Sequence, residues 1–346
     1  MLQVRFRVVE LKKLYPLAIS RGISTGSTNL FVEVEDENGN VGLGECAPGT
    51  GFDESLAPIA EEQLKVVVAK GIDGKSIHQV WEMMRAMDVN ASAMAAMDVA
   101  LWDLLGKQCG QPLYKVLGLS KTAVVTSVTI GINPPEVTRE RVPEILTRTG
   151  GRSLKIKLGS SLGIEHDKEH YMAAMEASKD FNVSLRIDAN GGWNVSNALH
   201  MMDWLKDRRC DYVEQPLARG EEAGLPELYA NRPMPIYADE SCQFSSDVPK
   251  LMGMVDGVNL KLMKCGGITE ALRIVSAAKA CGMGTMIGCM GESSVAISAG
   301  AAMSELFDFI DLDSQINLNP DPATGAPMIN GVVTPTDAPG HGASLN

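Results

Sequence analysis

The stretch Ser184-Leu-Arg-Ile-Asp188 shows the pattern that decides the fold. It is a short apolar run that ends in an acid, and a helical spacing follows it before the next such run, Tyr212-Val-Glu214. Eight short β-branched or apolar runs, six of which end in a charged residue, follow one another in the chain: Val124–Ile132, Ser153–Lys157, Ser184–Asp188, Tyr212–Glu214, Ile236–Asp239, Gly257–Lys261, Gly284–Ile287 and Phe309–Asp313. Their last residues lie 22 to 31 positions apart. One strand and one helix need about that length, so the pattern predicts a closed (β/α) barrel.

The residues before the barrel have a different organisation. Apolar and polar residues alternate, as in strands, over residues 2–10, 29–36 and 41–45. Helical spacing appears over residues 54–70 and 92–106. We therefore expect an α+β domain over residues 1–122, the barrel over residues 123–315, and a tail over residues 316–346 that returns to the first domain.

Composition and charge exclude several classes of protein. The 346 residues include 31 Lys and Arg against 43 Asp and Glu, a net charge of −12, so nucleic acid and anionic membrane are not expected partners. No apolar run approaches the ~18 residues that a membrane helix needs. The seven cysteines are scattered, which favours a reducing compartment. These features predict a cytoplasmic globular protein.

Charged residues end most of the predicted strands, where the chemistry of such barrels takes place. The carboxylates Asp188, Glu214 and Asp239 end three consecutive strands, which lie roughly 5 Å apart in a sheet, so one ion can contact all three. A set of ligands made only of oxygens suits Mg²⁺. Each carboxylate taken alone is equally compatible with a helix cap, but the set of three with flanking lysines favours a metal site.

Two lysines end strands on opposite sides of these carboxylates. Lys157 ends the second strand and Lys261 ends the sixth. The C–H bond beside a carboxylate is weakly acidic, and a divalent cation stabilises the anion that its ionisation forms. A base on each face could then remove a proton from one side and return one to the other. Without the metal site, Lys155-Ile-Lys157 would be assigned to a solvated strand edge.

Motifs at these strand ends resemble, in order, those of the enolase superfamily, muconate-lactonising enzyme subgroup. The matching segments are Leu154-Lys-Ile-Lys-Leu-Gly159, Asp188-Ala-Asn190, Glu214-Gln-Pro216, Ala238-Asp-Glu-Ser241 and Lys261-Leu-Met-Lys-Cys-Gly-Gly267. The resemblance implies a modified (β/α)7β TIM-like barrel with an α+β capping domain built from the N-terminal part and the C-terminal tail. It also implies Mg²⁺ on the three carboxylates and an acid/base pair of Lys157 and Lys261. Lys155 would lie beside the substrate carboxylate, and Asn190 and Glu240 would support the metal ligands.

Three further segments are similar to dipeptide epimerases of the Ala-Glu type: Ile19-Ser-Arg-Gly22, Ile287-Gly-Cys-Met-Gly-Glu-Ser-Ser294 and Ile310-Asp-Leu-Asp-Ser314. Asp311 and Asp313 point to the same side of their strand and would form an anionic pocket for the ammonium group of a dipeptide. Helix capping or loop solvation is the alternative role for this pair. The predicted reaction is a two-base 1,1-proton transfer, which inverts the α-carbon of the C-terminal residue of an L-Ala-L-Glu-like dipeptide through a metal-stabilised enediolate.

The sequence leaves the preferred side chain of the substrate open. Arg21 could bind a Glu side chain, whereas Asp53 and Glu54 could favour a cationic one or simply begin a helix. The family resemblance alone implies that three further residues line the substrate: Thr129, Cys289 and Gly291. Other reactions of the subgroup remain alternatives, namely N-acylamino acid racemisation, o-succinylbenzoate synthesis and muconate cycloisomerisation. A homo-oligomer is also possible.

Overall fold

The computed structural model describes residues 1–48 and 56–346. The N-terminal part is an antiparallel sheet in which β2 lies between β1 and β3. Its strands are β1 (Gln3–Ile19), β2 (Gly22–Glu35) and β3 (Val41–Cys46). Four helices follow: α1 (Leu56–Ala69), α2 (Ile77–Ala86), α3 (Ala91–Gln108) and α4 (Leu113–Val116). In the described part of the chain, no helix is both long enough and apolar enough to cross a membrane.

The first hairpin is longer than its sequence pattern predicts. β1 and β2 pair from Gln3 and Glu35 to the turn between Ile19 and Gly22, with an irregularity in the register between Lys12 and Leu17. The part of the hairpin nearest this turn covers the barrel mouth, and small polar residues such as Ser24 occur on its inner side. Because that face lines a cavity rather than a core, it lacks the apolar alternation that marks the rest of the strands. The turn brings Ser20 and Arg21 down to the barrel loops.

Close packing of β3 on α3 requires glycine at two positions. A Cβ on Gly42 would lie 2.0 Å from the carbonyl oxygen of Ala100, and one on Gly44 would lie 1.9 Å from that of Ala96. Any larger residue would therefore force the strand and helix apart. Helix α3 is buried on nearly all sides because it lies between this sheet and the barrel.

Two buried carboxylates of the N-terminal part hold it against the barrel. Asp98 on α3 accepts hydrogen bonds from the backbone and side chain of Thr269, at 2.9 and 2.6 Å. Glu45 on β3 accepts hydrogen bonds from the backbone and side chain of Ser293, at 2.9 and 2.7 Å. These contacts fix the position of the hairpin over the barrel mouth.

Eight parallel strands form the barrel, and their spatial order follows the chain order. After β4 (Val124–Val125) come β5 (Val128–Ile130), β6 (Ser153–Lys157), β7 (Ser184–Asp188), β8 (Cys210–Glu214), β9 (Ile236–Ala238), β10 (Gly257–Lys261), β11 (Gly284–Gly288) and β12 (Phe309–Ile310). The helices are α5 (Pro135–Thr149), α6 (Ile164–Ala177), α7 (Val195–Leu205), α8 (Leu225–Asn231), α9 (Val248–Leu251), α10 (Leu262–Cys265), α11 (Ile268–Ala280) and α12 (Ser294–Ala301). A parallel bridge between Thr126 and Ile310 joins the last strand to the first. After β12, a short 3₁₀ turn (Ser314–Asn317) stands where a regular barrel would have its eighth helix. The predicted (β/α)7β barrel is therefore confirmed.

The first predicted barrel strand, Val124–Ile132, is in fact two strands. β4 pairs with the tail, in the order β14 (Met328–Ile329), β15 (Val332–Val333), β4. The break occurs at the fully buried Thr126, whose backbone N–H donates to Gly331 of the tail, while its hydroxyl accepts from the N–H of Leu312. One β-branched run therefore serves two sheets, and its apolar pattern cannot show the change of partner.

The tail returns to the N-terminal part, as the sequence resemblance implied. Its other strands, β13 (Ala323–Thr324) and β16 (Ser344–Leu345), pair with each other. The backbone N–H of His341 donates to the buried carboxylate of Asp103 on α3 at 2.8 Å. The carbonyl of Gly340 accepts from the N–H of Leu113 at 2.7 Å. The residue boundaries of the three predicted parts remain a prediction.

Candidate active site

Three buried carboxylates meet at the carboxyl end of the barrel. Asp188 and Glu214 are the last residues of β7 and β8, and Asp239 directly follows β9. The register places Asp188 beside Glu214, so both strands end at the same level. One oxygen of each carboxylate lies within 4.8 Å of the others, and all three side chains are fully buried. Such a group of hard oxygen donors suits a divalent cation.

Burial and neighbouring charges shift the pKa values of Glu214 and Asp188 in opposite directions. Burial and the nearby Asp188 raise the pKa of Glu214 to about 8. Burial also opposes the ionisation of Asp188, but the ammonium groups of Lys157 and Lys155 outweigh it and lower its pKa to about 2. Three carboxylates so close together repel one another, and this repulsion favours a bound cation.

The two candidate bases lie on opposite sides of this cluster. Lys157 ends β6 and its Nζ donates to Asp188 Oδ2 at 2.6 Å, while Lys261 ends β10 and its Nζ donates to Asp239 Oδ2 at 2.6 Å. Both side chains are buried, yet both line the same cavity. The three strands that carry the carboxylates lie between them.

Lys155 lies below the cavity, and its ammonium contacts both Glu214 and Asp311. Its fully buried ammonium is 2.7 Å from Glu214 Oε2 and donates to Asp311 Oδ2 at 2.5 Å. Desolvation alone would lower the pKa of Lys155, but Asp311 and Glu214 raise it well above its ordinary value. Asp311 and Glu214 thus favour the charged form of Lys155, which neutralises part of the acidic cluster.

Asn190 and Glu240 support the carboxylate cluster from the side of the hairpin. The amide of Asn190 donates to Asp188 Oδ2 at 3.0 Å and to Glu240 Oε1 at 3.3 Å. Arg21 reaches the same pair, because its Nη1 lies 2.7 Å from Glu240 Oε1 and donates to the carbonyl of Asn190 at 2.9 Å. The hairpin tip is therefore bonded to the loops that follow two candidate metal ligands. The charge of Arg21 already has an acidic partner within the protein.

Asp311 and Asp313 both line the cavity, but their surroundings differ. Asp311 is paired with Lys155, whereas Asp313 accepts through Oδ2 from the backbone N–H of Thr129 at 2.7 Å. The other oxygen of Asp313 is 3.8 Å from the sulfur of Cys289. Burial and the neighbouring Asp311 raise the pKa of Asp313 to about 6. Asp313 is therefore the member of the pair with the less compensated charge.

One cavity of about 700 Å³ brings most of the predicted site residues together. Its walls include Arg21, Thr129, Lys157, Asn190, Lys261, Cys289, Gly291, Asp311 and Asp313. Lys155 and the three carboxylates lie beneath it, and Glu240 lines an adjoining cavity. The hairpin forms the roof with apolar side chains, among them Leu17, Ile19 and Ile23. Asp53 and Glu54 lie outside the described residues.

Comparison with known families now assigns the chain. The N-terminal domain of mandelate racemase / muconate lactonizing enzyme matches residues 2–118, and the enolase C-terminal domain-like family matches residues 138–346. The chain belongs to the mandelate racemase/muconate lactonizing enzyme family. This family lies within the enolase superfamily, which the sequence motifs had indicated.

Relatives within the mandelate racemase/muconate lactonizing enzyme family match this chain along its whole length. It is 54% identical to the hydrophobic dipeptide epimerase of Roseobacter litoralis, over 100% of this chain and 99% of that protein. It is 55% identical to a hydrophobic dipeptide epimerase of a Flavobacteria bacterium (strain MS024-2A), over 98% and 97% of the two chains. A solved dipeptide epimerase from Enterococcus faecalis V583, in complex with Mg and the dipeptide L-Leu-L-Tyr, superposes with a TM-score of 0.92 at 33% identity, over 99% of each chain.

Two polar residues of this site were not predicted from the sequence. Lys264 is buried and donates to Asp239 Oδ1 at 2.6 Å and to the carbonyl of Asn259 at 2.9 Å. Asn259 donates to Glu214 Oε1 at 2.8 Å. Strand periodicity could have found Asn259, because it lies two residues before Lys261 on the same face of β10. Lys264 lies in the motif that follows Lys261, but only the short helix α10 turns it back to the cluster.

Proposed function

We propose that this protein is a Mg²⁺-dependent dipeptide epimerase that inverts the α-carbon of a hydrophobic C-terminal residue. The observation that carries the proposal is the placement of Lys157 and Lys261 on opposite sides of one carboxylate cluster, in the wall of one cavity. A single base could exchange a proton on one face only. Two bases on opposite sides can invert a centre held between them.

The residues present fit a magnesium ion. Asp188, Glu214 and Asp239 offer three converging, fully buried oxygens, and burial together with the nearby Asp188 raises the pKa of Glu214, a cost that a cation would relieve. When bound, Mg²⁺ supplies a Lewis acid for the substrate carboxylate and stabilises the charge that develops as the α-proton leaves. The Enterococcus faecalis dipeptide epimerase is in complex with Mg and a dipeptide, which supports a magnesium ion in this protein as well.

The lysines themselves move the proton. One lysine accepts it from the α-carbon, and the other donates a proton to the opposite face; the roles exchange for the other isomer. Burial opposes the charge of Lys261, but Asp239 and Glu214 raise its pKa above its ordinary value. Pairing with these acids therefore favours the protonated form of Lys261, the form that donates a proton, and Asn190 and Lys264 keep the carboxylate cluster oriented around it.

The acidic end of β12 supports a free amine on the substrate. Asp313 has one oxygen bonded to the backbone of Thr129 and its second oxygen toward Cys289, so it can accept a bond from an ammonium group. Asp311 contributes further negative charge, partly compensated by Lys155. Acylated amino acids and muconate have no ammonium group and would gain nothing from these acids.

The roof supports a hydrophobic side chain on the residue that is inverted. Leu17, Ile19 and Ile23 line the cavity, and the side chain of Ile23 is 70% exposed. Covering such a residue with an apolar substrate side chain removes apolar surface from water. Arg21 could have bound an acidic side chain, but Glu240 pairs with its guanidinium at 2.7 Å. The hydrophobic dipeptide epimerases at 54% and 55% identity support the same preference.

Proton NMR in D₂O with Mg²⁺ tests the proposal. We expect exchange at the C-terminal α-position to be fastest for L-Ala-L-Leu and L-Ala-L-Phe, slower for L-Ala-L-Glu and L-Ala-L-Lys, and minimal for N-acetyl-L-Ala-L-Leu. Fastest exchange with L-Ala-L-Glu would instead indicate that Arg21 leaves Glu240 and binds the substrate. Exchange of the acetylated compound alone would replace the proposal with N-acylamino acid racemisation.

Location and assembly belong to the proposal as well. We expect a cytoplasmic protein, because all seven cysteines are free thiols in the described chain and three of them are buried. The net charge of −12 supports a small-molecule partner rather than nucleic acid. A homo-oligomer remains a prediction, which light scattering after gel filtration would check.

A further inference from the structure

Lys13 is a cation in the cavity wall that the proposed reaction does not use. β1 alternates along this stretch, so that Lys13 and Tyr15 turn inward while Lys12 and Leu14 are exposed. The ammonium of Lys13 reaches the loop after β11, because a Cβ placed on Gly291 would lie 3.7 Å from its Nζ. It therefore faces the part of the cavity that also contains Asp313.

The protein provides no direct partner for this ammonium among its described residues. Burial lowers the pKa of Lys13, and the nearby Cys289 and Asp313 only partly oppose this effect. Asp313 is near enough to be felt electrostatically, yet none of the ion pairs within 4.0 Å in the described ranges includes Lys13. A half-buried cation without a partner is a suitable contact for an anionic group of a ligand.

A second cation lies in the same wall. Arg141 on α5 stacks on the ring of Tyr15, the inward neighbour of Lys13 on β1, and its buried Nε has no hydrogen-bond partner in the described chain. Lys13 and Arg141 make this wall positive, whereas the acids at the end of β12 make the adjacent wall negative. A ligand that carries both charges close together fits between them.

We propose that Lys13 is a specificity residue for the N-terminal residue of the dipeptide and favours an acidic side chain there. This inference rests on the proposed function, which places the substrate ammonium at Asp313. In an N-terminal Asp or Glu, one or two methylene groups separate the side-chain carboxylate from the carbon that bears the ammonium. With the ammonium on Asp313, that carboxylate can reach Lys13 on the same side of the cavity. Substrates of this class are therefore Glu-Xaa and Asp-Xaa dipeptides with a hydrophobic second residue.

The matched substrates L-Glu-L-Leu and L-Gln-L-Leu isolate the charge, because they differ little in shape. For the wild-type protein we expect kcat/KM for epimerisation to favour L-Glu-L-Leu by at least about tenfold, the size of one charge-assisted hydrogen bond. The ratio should fall to about one in Lys13→Met and return in Lys13→Arg. Arg7→Met removes one positive charge from an exposed position of β1 that does not line the cavity, and it should keep the wild-type ratio.

Other outcomes would overturn the inference in distinguishable ways. Equal rates for L-Glu-L-Leu and L-Gln-L-Leu, with L-Ala-L-Leu still epimerised, would refute the role of Lys13 and leave the proposed function standing. Unchanged kcat/KM values for both substrates in Lys13→Met would do the same. Equal losses for both substrates in that variant would show that Lys13 contacts the peptide group rather than the side chain. If no dipeptide exchanges its α-proton, the proposed function and this inference both fail.

Discussion

Replacement of Lys261 by Met should separate the two halves of the proton transfer. Methionine nearly preserves the length and volume of the side chain and removes only the ammonium. The carboxylate of Asp239 would keep Lys264 Nζ at 2.6 Å as a cationic partner. We therefore expect a stability loss below the roughly 3–5 kcal/mol that an unpaired buried charge costs, and a folded protein that retains its three carboxylates.

The kinetic effect should depend on the isomer. A positioned general acid or base is worth about 10²- to 10⁴-fold, so epimerisation in Lys261→Met should fall by about that factor, because inversion needs both lysines. Exchange of the α-proton in the isomer that faces Lys157 should stay within about tenfold of wild type, since that base lies across the cluster on β6. Lys157→Met should show the opposite isomer preference.

The assay is proton NMR of L-Ala-L-Leu and L-Ala-D-Leu in D₂O at saturating Mg²⁺, with each isomer followed separately. Circular dichroism and a magnesium titration of each variant show whether the fold and the metal site survive. Wild-type exchange of both isomers in either variant would refute the two-base scheme. Loss of the same isomer in both variants would show that one lysine only assists the other.

Further predictions concern the charges around the cavity. Asp313→Asn should raise KM for L-Ala-L-Leu by about 10-fold or more, because a charged hydrogen bond to the ammonium is lost. Steady-state rates with the N-acetylated analogue, which has no ammonium, should equal those of the wild type. Because burial and Asp311 raise the pKa of Asp313 to about 6, this carboxylate loses its charge as the pH falls through 6. KM of the wild type measured from pH 8 to pH 5 should therefore rise on the acid side, and that rise should be absent in the Asn variant. Chelation with EDTA should abolish exchange and added Mg²⁺ should restore it, as NMR would show, because the proposed reaction needs a cation on the carboxylate cluster. Lys155→Met should destabilise the protein by about 3–5 kcal/mol in urea unfolding, since it leaves buried carboxylates without their shared cation; a loss below about 1 kcal/mol would contradict that role.

Several parts of the site could not be inferred from local pattern. Arg21 was predicted as a residue that could bind a substrate Glu side chain, but its pairing with Glu240 depends on how far the hairpin reaches across the barrel mouth. The inward turn of Lys13 was not predicted, because residues 11–28 lack a clear apolar alternation. Lys264 could be assigned to the site only once the short helix α10 turned it back to Asp239, whereas the periodicity of β10 already placed Asn259 on the same face as Lys261.

The sequence by itself determined the barrel, the α+β cap and the charged strand ends. Strands and helices alternate with a regular spacing, and each parallel strand ends at the same edge of the barrel, so Lys157, Asp188 and Glu214 could be placed together from their positions alone. Only the tertiary structure decided which charges compensate one another: Lys155 with Asp311, and Arg21 with Glu240. The physical reason is that strand periodicity is a local property of the chain. The partner and desolvation of a buried charge depend instead on residues that are distant in sequence and adjacent only after folding.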